Sequence, residues 1–142
     1  MEDWFSEYIR RIKREIDKTF KEIESEFFSP LIDYNNKCLI PLYDVKETIN
    51  EIIIHVDLPN VKSKKDIEVM ISETEVIVEA KLVRSIKFED LVIYGKQAYD
   101  KFRLEIPLNV PVETEKAKAI FRNGMLEIHI PKKIRFHKIE IE

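Results

Sequence analysis

Apolar residues recur three or four positions apart over residues 3–28, which places them on one face of a helix. No glycine or proline interrupts this segment. Ser29-Pro30 ends it, because proline disfavours the helical conformation of the residue before it. The sequence therefore predicts an amphipathic helix. Its apolar face is formed by Trp4, Phe5, Tyr8, Ile9, Ile12, Ile16, Phe20, Ile23 and Phe27.

The apolar pattern changes to a period of two in the rest of the chain. Short alternating runs separated by turns are typical of strands with one buried face, and they predict an antiparallel sandwich or barrel. Asn123-Gly124 stands between the last two runs, and this dipeptide favours the positive φ angles of a two-residue hairpin turn. The longer connections at 59–66 and 82–99 are expected to cross between sheets. The six runs are 52–56, 67–71, 76–80, 102–106, 117–121 and 126–130.

Composition indicates a folded, highly charged protein. Hydrophobic residues make up 44% of the chain and charged residues 36%. The net charge of −3 argues against a nucleic-acid partner, because nucleic-acid binders carry a basic excess. Glutamine occurs once, at Gln97, while isoleucine, lysine and glutamate abound, a bias that resembles proteins of thermophiles.

The cellular location is expected to be cytoplasmic. Cys38 is the only cysteine, so no disulfide can form within the chain. The first residues include Glu2, Asp3 and Glu7, which leave no apolar stretch for a signal peptide or a membrane anchor.

The sequence offers no catalytic or metal-binding motif. With two glycines, it has no glycine-rich loop to bind phosphates. The three histidines, His55, His129 and His137, include no pair at helical ligand spacing. No G-x-S-x-G nucleophile motif occurs. We therefore expect no enzyme activity, no cofactor and no metal.

From about Leu39 to Lys132 the chain resembles the α-crystallin domain of small heat-shock proteins. Residues 41–48 are similar to the family's opening strand, and 52–59 to a strand that ends in a Leu-Pro turn. Residues 119–126, AIFRNGML, match the family's A-x-x-x-n-G-v-L signature. Ile139-Glu140-Ile141 stands where members carry an I-x-I tail motif.

Two positions depart from the family pattern. Asn60 replaces the glycine that usually follows Leu-Pro, although asparagine also tolerates left-handed backbone angles. Phe102 replaces an arginine that precedes the late strand-ending Pro107 by five residues, with Lys101 and Arg103 beside it. An ion pair that uses this arginine at a dimer interface is therefore not expected.

The resemblance implies an all-β fold. This fold is an immunoglobulin-like antiparallel β-sandwich, the α-crystallin domain, with an N-terminal amphipathic helix and a short C-terminal extension. The expected organisation is a helical arm at 1–36, the sandwich at 37–132 and the extension with the I-x-I motif at 133–142.

The resemblance also implies an ATP-independent chaperone, a holdase that binds partly unfolded client proteins and assembles into oligomers of dimers. Ile139 and Ile141 of the tail would enter a groove at the sandwich edge of another subunit. The alternative is that the tail folds back on its own domain. The residues that the resemblance assigns to the groove are Ile67, Val69, Ile71, Ala117, Ala119 and Phe121.

Two further segments are implied in assembly. In archaeal, bacterial and plant relatives a loop strand swaps into the partner to make the dimer, and here it would be Leu91, Val92, Ile93 and Tyr94. An in-chain strand or a partly ordered loop are the alternatives. The N-terminal helix would pack in the oligomer or bind clients, while packing only on its symmetry mate and membrane-surface binding are further alternatives. Its residues for this role are Trp4, Phe5, Tyr8, Ile12, Phe20 and Phe27.

A rival class has the same sandwich. CS-domain co-chaperones act as monomeric adaptors of a larger chaperone, and a scaffold module would look the same in sequence. CS domains lack the I-x-I tail and the swapped loop, whereas this chain has the residues for both.

Overall fold

The computed structural model describes residues 3–133 and 138–142. In this part of the chain it has one α-helix and nine β-strands. The helix α1 spans Asp3–Phe28, which confirms the predicted amphipathic helix. The strands are β1 (Ile32–Asp33), β2 (Cys38–Leu39), β3 (Tyr43–Glu47), β4 (Glu51–Asp57), β5 (Ile67–Ile71), β6 (Glu75–Lys87), β7 (Ala98–Pro107), β8 (Lys118–Arg122) and β9 (Met125–Pro131).

The strands form two sheets, and the predicted β-sandwich is confirmed. One sheet has the order β3-β4-β9-β8 and the other has the order β1-β2-β7-β6-β5. The six alternating runs of the sequence lie in strands β4 to β9, except that Ala117, the first residue of one run, precedes β8. The short strands β1 and β2 were not predicted, because two residues are too few to show a period.

Two compact units can be distinguished by their internal contacts. One consists of the described residues up to 40 together with 85–100, and the other of 41–84 together with the described residues from 101 onward. The strands β6 and β7 run through both units. The domain boundaries expected from the sequence, after 36 and after 132, stay a prediction.

The core of the second unit is built from the alternating positions of its strands. In β4 the inward residues Ile52, Ile54 and Val56 are buried, while their neighbours are half-exposed. Ile54 lies opposite Ile128 of β9 in the antiparallel register. Full burial of one such side chain stabilises the fold by about 1.5–3 kcal/mol. The other buried apolar residues of β6, β7 and β9 are Val76, Val78, Ala80, Leu82, Phe102, Leu104, Ile106, Leu126, Ile128 and Ile130.

Left-handed backbone conformations occur where the sequence indicated turns. Asn123 and Gly124 have φ angles of 52° and 78°, as the hairpin between β8 and β9 requires. Asn60 has a φ of 64°, so the asparagine that replaces the family's glycine adopts the left-handed conformation.

The expectation for the 82–99 connection is wrong. Strand β6 continues to Lys87, β7 begins at Ala98, and the two strands are neighbours in the same sheet. Antiparallel neighbours need only a returning loop, so the chain does not cross between sheets here. The chain crosses between the sheets at 40–42 between β2 and β3, at 59–66, as expected, and at 108–117 between β7 and β8.

In the first unit, aromatic rings surround the loop that follows β6. The Tyr94 ring contacts the rings of Phe28 and Tyr34, with centroid separations of 6.3 Å and 6.1 Å. The buried Tyr99 hydroxyl donates a hydrogen bond to the Tyr94 carbonyl at 3.0 Å. Because these residues are distant in sequence, the cluster joins the end of α1, the β1–β2 turn and the 88–97 loop.

Glu24 is the buried residue of α1. Its Oε2 accepts the backbone N–H of Ile93 at 2.7 Å, and its Oε1 is buried without a hydrogen-bond partner. The helical pattern places Glu24 on the polar face, so its burial was not predictable from the pattern. In the described residues, no helix is both long and apolar enough to span a membrane.

Replacing Gly124 by alanine is expected to lower the free energy of unfolding by about 1–2 kcal/mol, the cost of a left-handed angle for an L-residue. The cost is conformational, because a Cβ at Gly124 would lie 3.8 Å from the nearest atom, the Leu58 carbonyl oxygen. Urea denaturation measures the loss. Asn123→Gly is the control, because glycine tolerates the same φ. An equal loss in both variants would contradict this account of the turn.

Burial raises the pKa of the Tyr99 hydroxyl above its usual value of 10.0. The unfolded chain therefore loses this proton at a lower pH than the folded chain does. The free energy of unfolding should be unaffected by this group below pH 10 and should fall as the pH rises through the raised pKa. Tyr99→Phe should flatten the alkaline part of a urea-denaturation pH profile, whereas Tyr43→Phe, at an exposed tyrosine, should not. Parallel profiles for wild type and Tyr99→Phe would contradict the prediction.

Candidate peptide-binding groove

An apolar groove lies between the outermost strands of the two sheets. Strands β5 and β8 each stand last in their sheet, so each has a hydrogen-bonded neighbour on one side only in the described chain. Such an edge carries backbone N–H and C=O groups that can pair with an added strand. The groove has a volume of about 330 Å³. It is lined by Lys64, Ile67, Val69, Ala119, Ile120, Phe121 and Leu126.

Alternation in the two edge strands makes this groove apolar. In β5, Ile67 and Val69 lie opposite Ala80 and Val78 of β6. In β8, Phe121 lies opposite the buried Leu126 of β9. These inward positions would be fully buried in a central strand. At the edge they are only partly covered, which leaves their side chains available to a ligand.

The structure brings together four of the six residues that the resemblance assigned to the groove. Ile67, Val69, Ala119 and Phe121 line it. Ile71 and Ala117 do not: Ile71 ends β5 opposite Val76, and Ala117 precedes β8. That this groove accepts the tail stays a prediction.

Three groove residues were not anticipated. Leu126 lies on a central strand, and Lys64 belongs to the 3₁₀ turn before β5. Ile120 has the outward parity of β8 and is exposed. Strand alternation predicts that Ile120 points away from the sandwich interior, so it was not assigned to the groove. At an edge strand, however, residues that point inward and residues that point outward both border the groove.

The tail residues are exposed in the single chain. Ile139 and Ile141 are 83% and 98% exposed, and 138–142 belong to no helix or strand. Neither isoleucine is therefore packed in a groove of its own chain.

The segment assigned to the dimer strand is not a strand in this chain. Leu91 lies in a loop, Val92 and Ile93 form a bend, and Tyr94 begins a 3₁₀ turn in which it is buried. A swapped strand would pair with a second chain, so its role in dimerisation stays a prediction. Among the described residues, strand β3 offers a free edge for such pairing, because it is the last strand of its sheet.

The two described histidines, His55 and His129, lie on the outer face of the four-stranded sheet. His55 Nε2 is 3.1 Å from Glu127 Oε1, and His129 Nδ1 is 3.2 Å from Glu51 Oε2. Within the described residues, no group of three or more His, Cys, Asp or Glu side chains has an arrangement that could hold a metal ion. We interpret the histidines as members of a polar surface network.

Arg103, which follows the position of the missing family arginine, forms ion pairs. Phe102 is buried, whereas the Arg103 guanidinium pairs with the carboxylates of Glu79 and Glu105. The hydrogen bond to Glu105 raises the pKa of Arg103. These pairs lie within the chain and neutralise the guanidinium there.

Comparison with known proteins agrees with the fold. Residues 44–142 match the Hsp20/alpha crystallin family model, and the chain belongs to this family. It is 35% identical to small heat shock protein C4 of Rickettsia felis over 115 residues. The aligned segment covers 80% of this chain and 69% of that protein. The role of the protein is therefore that of a chaperone of a non-enzymatic family.

Solved structures are similar as well. A mutant form of hsp14.1 from Sulfolobus solfataricus matches with a TM-score of 0.58 and 29% identity, over 94% of this chain and 97% of that chain. Heat shock protein 16.0 from Schizosaccharomyces pombe matches with a TM-score of 0.54 and 24% identity, over 73% of this chain and 99% of that chain. The second likeness supports the fold alone.

Proposed function

We propose that this protein is an ATP-independent holdase, which binds partly unfolded proteins, prevents their aggregation and assembles into oligomers of dimers through its I-x-I tail. The observation that carries the proposal is the apolar groove between two free sheet edges in a chain whose tail isoleucines are exposed. We also propose that it acts in the cytoplasm, since its single cysteine allows no internal disulfide.

The tail can bind the groove as an added strand. In an extended segment, Ile139 and Ile141 project to the same side while Glu140 projects to the other. Main-chain hydrogen bonds to β5 or β8 would provide affinity, and the two side chains would provide specificity. The exposed carboxylates of the tail also complement Lys64 at the groove.

The energetics favour a reversible contact. Burying two isoleucines contributes about 3–6 kcal/mol. Ordering five tail residues costs about 5–10 kcal/mol, at roughly 1–2 kcal/mol each. Main-chain hydrogen bonds of about 1 kcal/mol each bring the two sides close to balance. A single tail therefore binds weakly, and an assembly is held by several tails through their effective concentration.

Dimers would form at the opposite edge of the four-stranded sheet. Tyr43 and Val45 of β3 lie opposite the buried Val56 and Ile54 of β4, yet both are exposed. A strand added beside β3 would cover them. The run 91–94 of a second chain supplies β-prone residues for this strand, provided that Tyr94 leaves its aromatic neighbours.

Client binding requires apolar surface that becomes available on demand. The groove provides such surface whenever a tail leaves it, and the apolar face of α1 provides more. Because a client is the exposed core of an unfolding protein, shape-specific contacts are not needed. Binding to the unfolded state withdraws it from aggregation without ATP.

Replacing both tail isoleucines by alanine, Ile139→Ala/Ile141→Ala, should reduce a large native assembly to dimers, because each tail loses its buried side chains. Native mass by light scattering measures this change. Ile49→Ala removes an isoleucine that is also 83% exposed, and it should leave the mass unchanged. A wild-type chain that is already monomeric would contradict the proposal and favour a monomeric adaptor of the CS-domain kind. A large assembly indifferent to the tail change would remove the tail from the mechanism.

The intact protein should suppress the aggregation of a heat-denatured model enzyme at near-equimolar subunit ratio. Turbidity at the denaturing temperature measures the effect, with serum albumin at equal mass as the control. Addition of ATP should change nothing, because the chain has no phosphate-binding loop. Aggregation as fast as in the albumin control would refute the holdase function, and a requirement for ATP would refute its mechanism.

A further inference from the structure

The helix α1 has an apolar face that no described residue of its own chain covers. All its residues up to Ile23 are exposed in the described chain, including Trp4 at 69% and Phe20 at 61%. Its 26 residues give a length of about 39 Å at ~1.5 Å per residue. Most helical stability in proteins comes from packing of an apolar face. An intermolecular partner for this face is therefore needed.

After the acidic residues Asp3 and Glu7, α1 contains two segments of opposite charge. The basic segment, Arg10–Arg14, contains four cations and no acid. The acidic segment, Glu22–Glu26, contains three glutamates and no base. The four charges between them, on Glu15, Asp17, Lys18 and Lys21, cancel.

This layout does not serve the isolated helix. The carbonyl end of a helix favours cations and disfavours carboxylates. The acidic segment nevertheless lies at this end, and the last turn of α1 contains no basic residue. Glu24 is engaged within its own chain through Ile93, whereas Glu22 and Glu26 are exposed. Two of the acidic side chains are therefore available to a partner.

We propose that α1 pairs antiparallel with α1 of a second copy, so that the basic segment of each copy contacts the acidic segment of the other. A parallel pair would place like charges together along both segments. An antiparallel pair centred near Lys18, midway between Ile12 and Glu24, places opposite charges together at both ends. The contact is self-complementary about a two-fold axis, which is the usual form of a dimer interface.

The same pairing covers the apolar face. With its centre near Lys18, it brings Ile16 of one copy close to Phe20 of the other, and Ile12 close to Ile23. The proposal deepens the self-association proposed above and rests on it, but it does not use the tail or the groove. Within one chain, the hydrogen bond from the Ile93 N–H to Glu24 joins the end of α1 to the 88–97 loop.

Charge exchange in the full chain tests the pairing. Arg11 and Lys13 flank Ile12 on both sides of the apolar face, so Arg11→Glu/Lys13→Glu should weaken self-association at least tenfold. Glu22→Lys/Glu26→Lys should weaken it similarly. Combining all four substitutions should restore the wild-type dissociation constant to within threefold. The combined variant keeps the net charge of −3, since two cations and two anions are exchanged.

Sedimentation measures the dissociation constants of self-association in the Ile139→Ala/Ile141→Ala background. Because the tail contact is absent there, a failure of the helix pairing can be distinguished from a failure of the tail mechanism. Lys62→Glu/Lys65→Glu is the control: it changes the net charge from −3 to −7, as Arg11→Glu/Lys13→Glu does, but lies outside α1. At 1 M salt, where the Debye length is about 3 Å, the differences should shrink. Circular dichroism verifies that each variant keeps its helix.

Recovery in the combined variant, with an unaffected control, supports the antiparallel pairing. Weakening without recovery overturns it, as does self-association that neither pair of substitutions changes. If the substitutions change client protection or vesicle binding but not self-association, the apolar face belongs to clients or to a membrane surface, and the pairing is also overturned.

Discussion

The open edges of the two sheets are the constraint on which the rest of this structure depends. A sandwich buries the inward faces of its central strands completely, but the outermost strand of each sheet keeps unpaired backbone groups and half-covered side chains. Here β5 and β8 end their sheets on either side of one apolar groove, and β3 ends the four-stranded sheet at its other edge. Edges of this kind favour association with further chains, unless charge or covering protects them.

The N-terminal helix α1 also has apolar side chains that the fold of one chain leaves uncovered. A helix that packs on its own domain buries a continuous stripe, whereas α1 buries Glu24 and leaves its aromatic residues from Trp4 to Phe27 exposed. Its fixed end, where Glu24 accepts the Ile93 N–H, joins it to the 88–97 loop that follows β6. The surfaces proposed for assembly and for clients are thus apolar surfaces that the fold of one chain cannot cover by itself.

The parts of the fold that depend on local alternation could be predicted from sequence. The inward residues of β4 and the Asn123-Gly124 turn were evident, because strand parity and positive φ leave a direct mark on residue choice. The course of 88–97 was not. Its run 91–94 is β-prone, but its position depends on contacts of Tyr94 with Phe28 and Tyr34, about 60 residues away in sequence.

The groove was predictable to a similar degree. Four of its residues follow from parity and family resemblance, whereas Ile120 lines it only because edge strands expose both parities. The places of Lys64 and Leu126 in the groove depend on how the turn before β5 and strand β9 lie beside the edge strands. No local sequence pattern indicates this arrangement. Burial of Glu24 likewise depends on the Ile93 N–H, a group that every residue type except proline would supply.

Hydrogen exchange at the groove tests the central claim, tail-in-groove assembly, most directly. The outward-pointing amides of β5 and β8 face no neighbouring strand in the described part of the chain, so in the native assembly they should be protected only if a tail pairs with them. We predict protection of the outward-pointing amides of β5 or β8, whichever strand the tail joins, in the wild-type assembly. This protection should be lost in Ile139→Ala/Ile141→Ala, while the central strands β4 and β9 stay protected. Equal exchange of these edge amides in both proteins would contradict the claim.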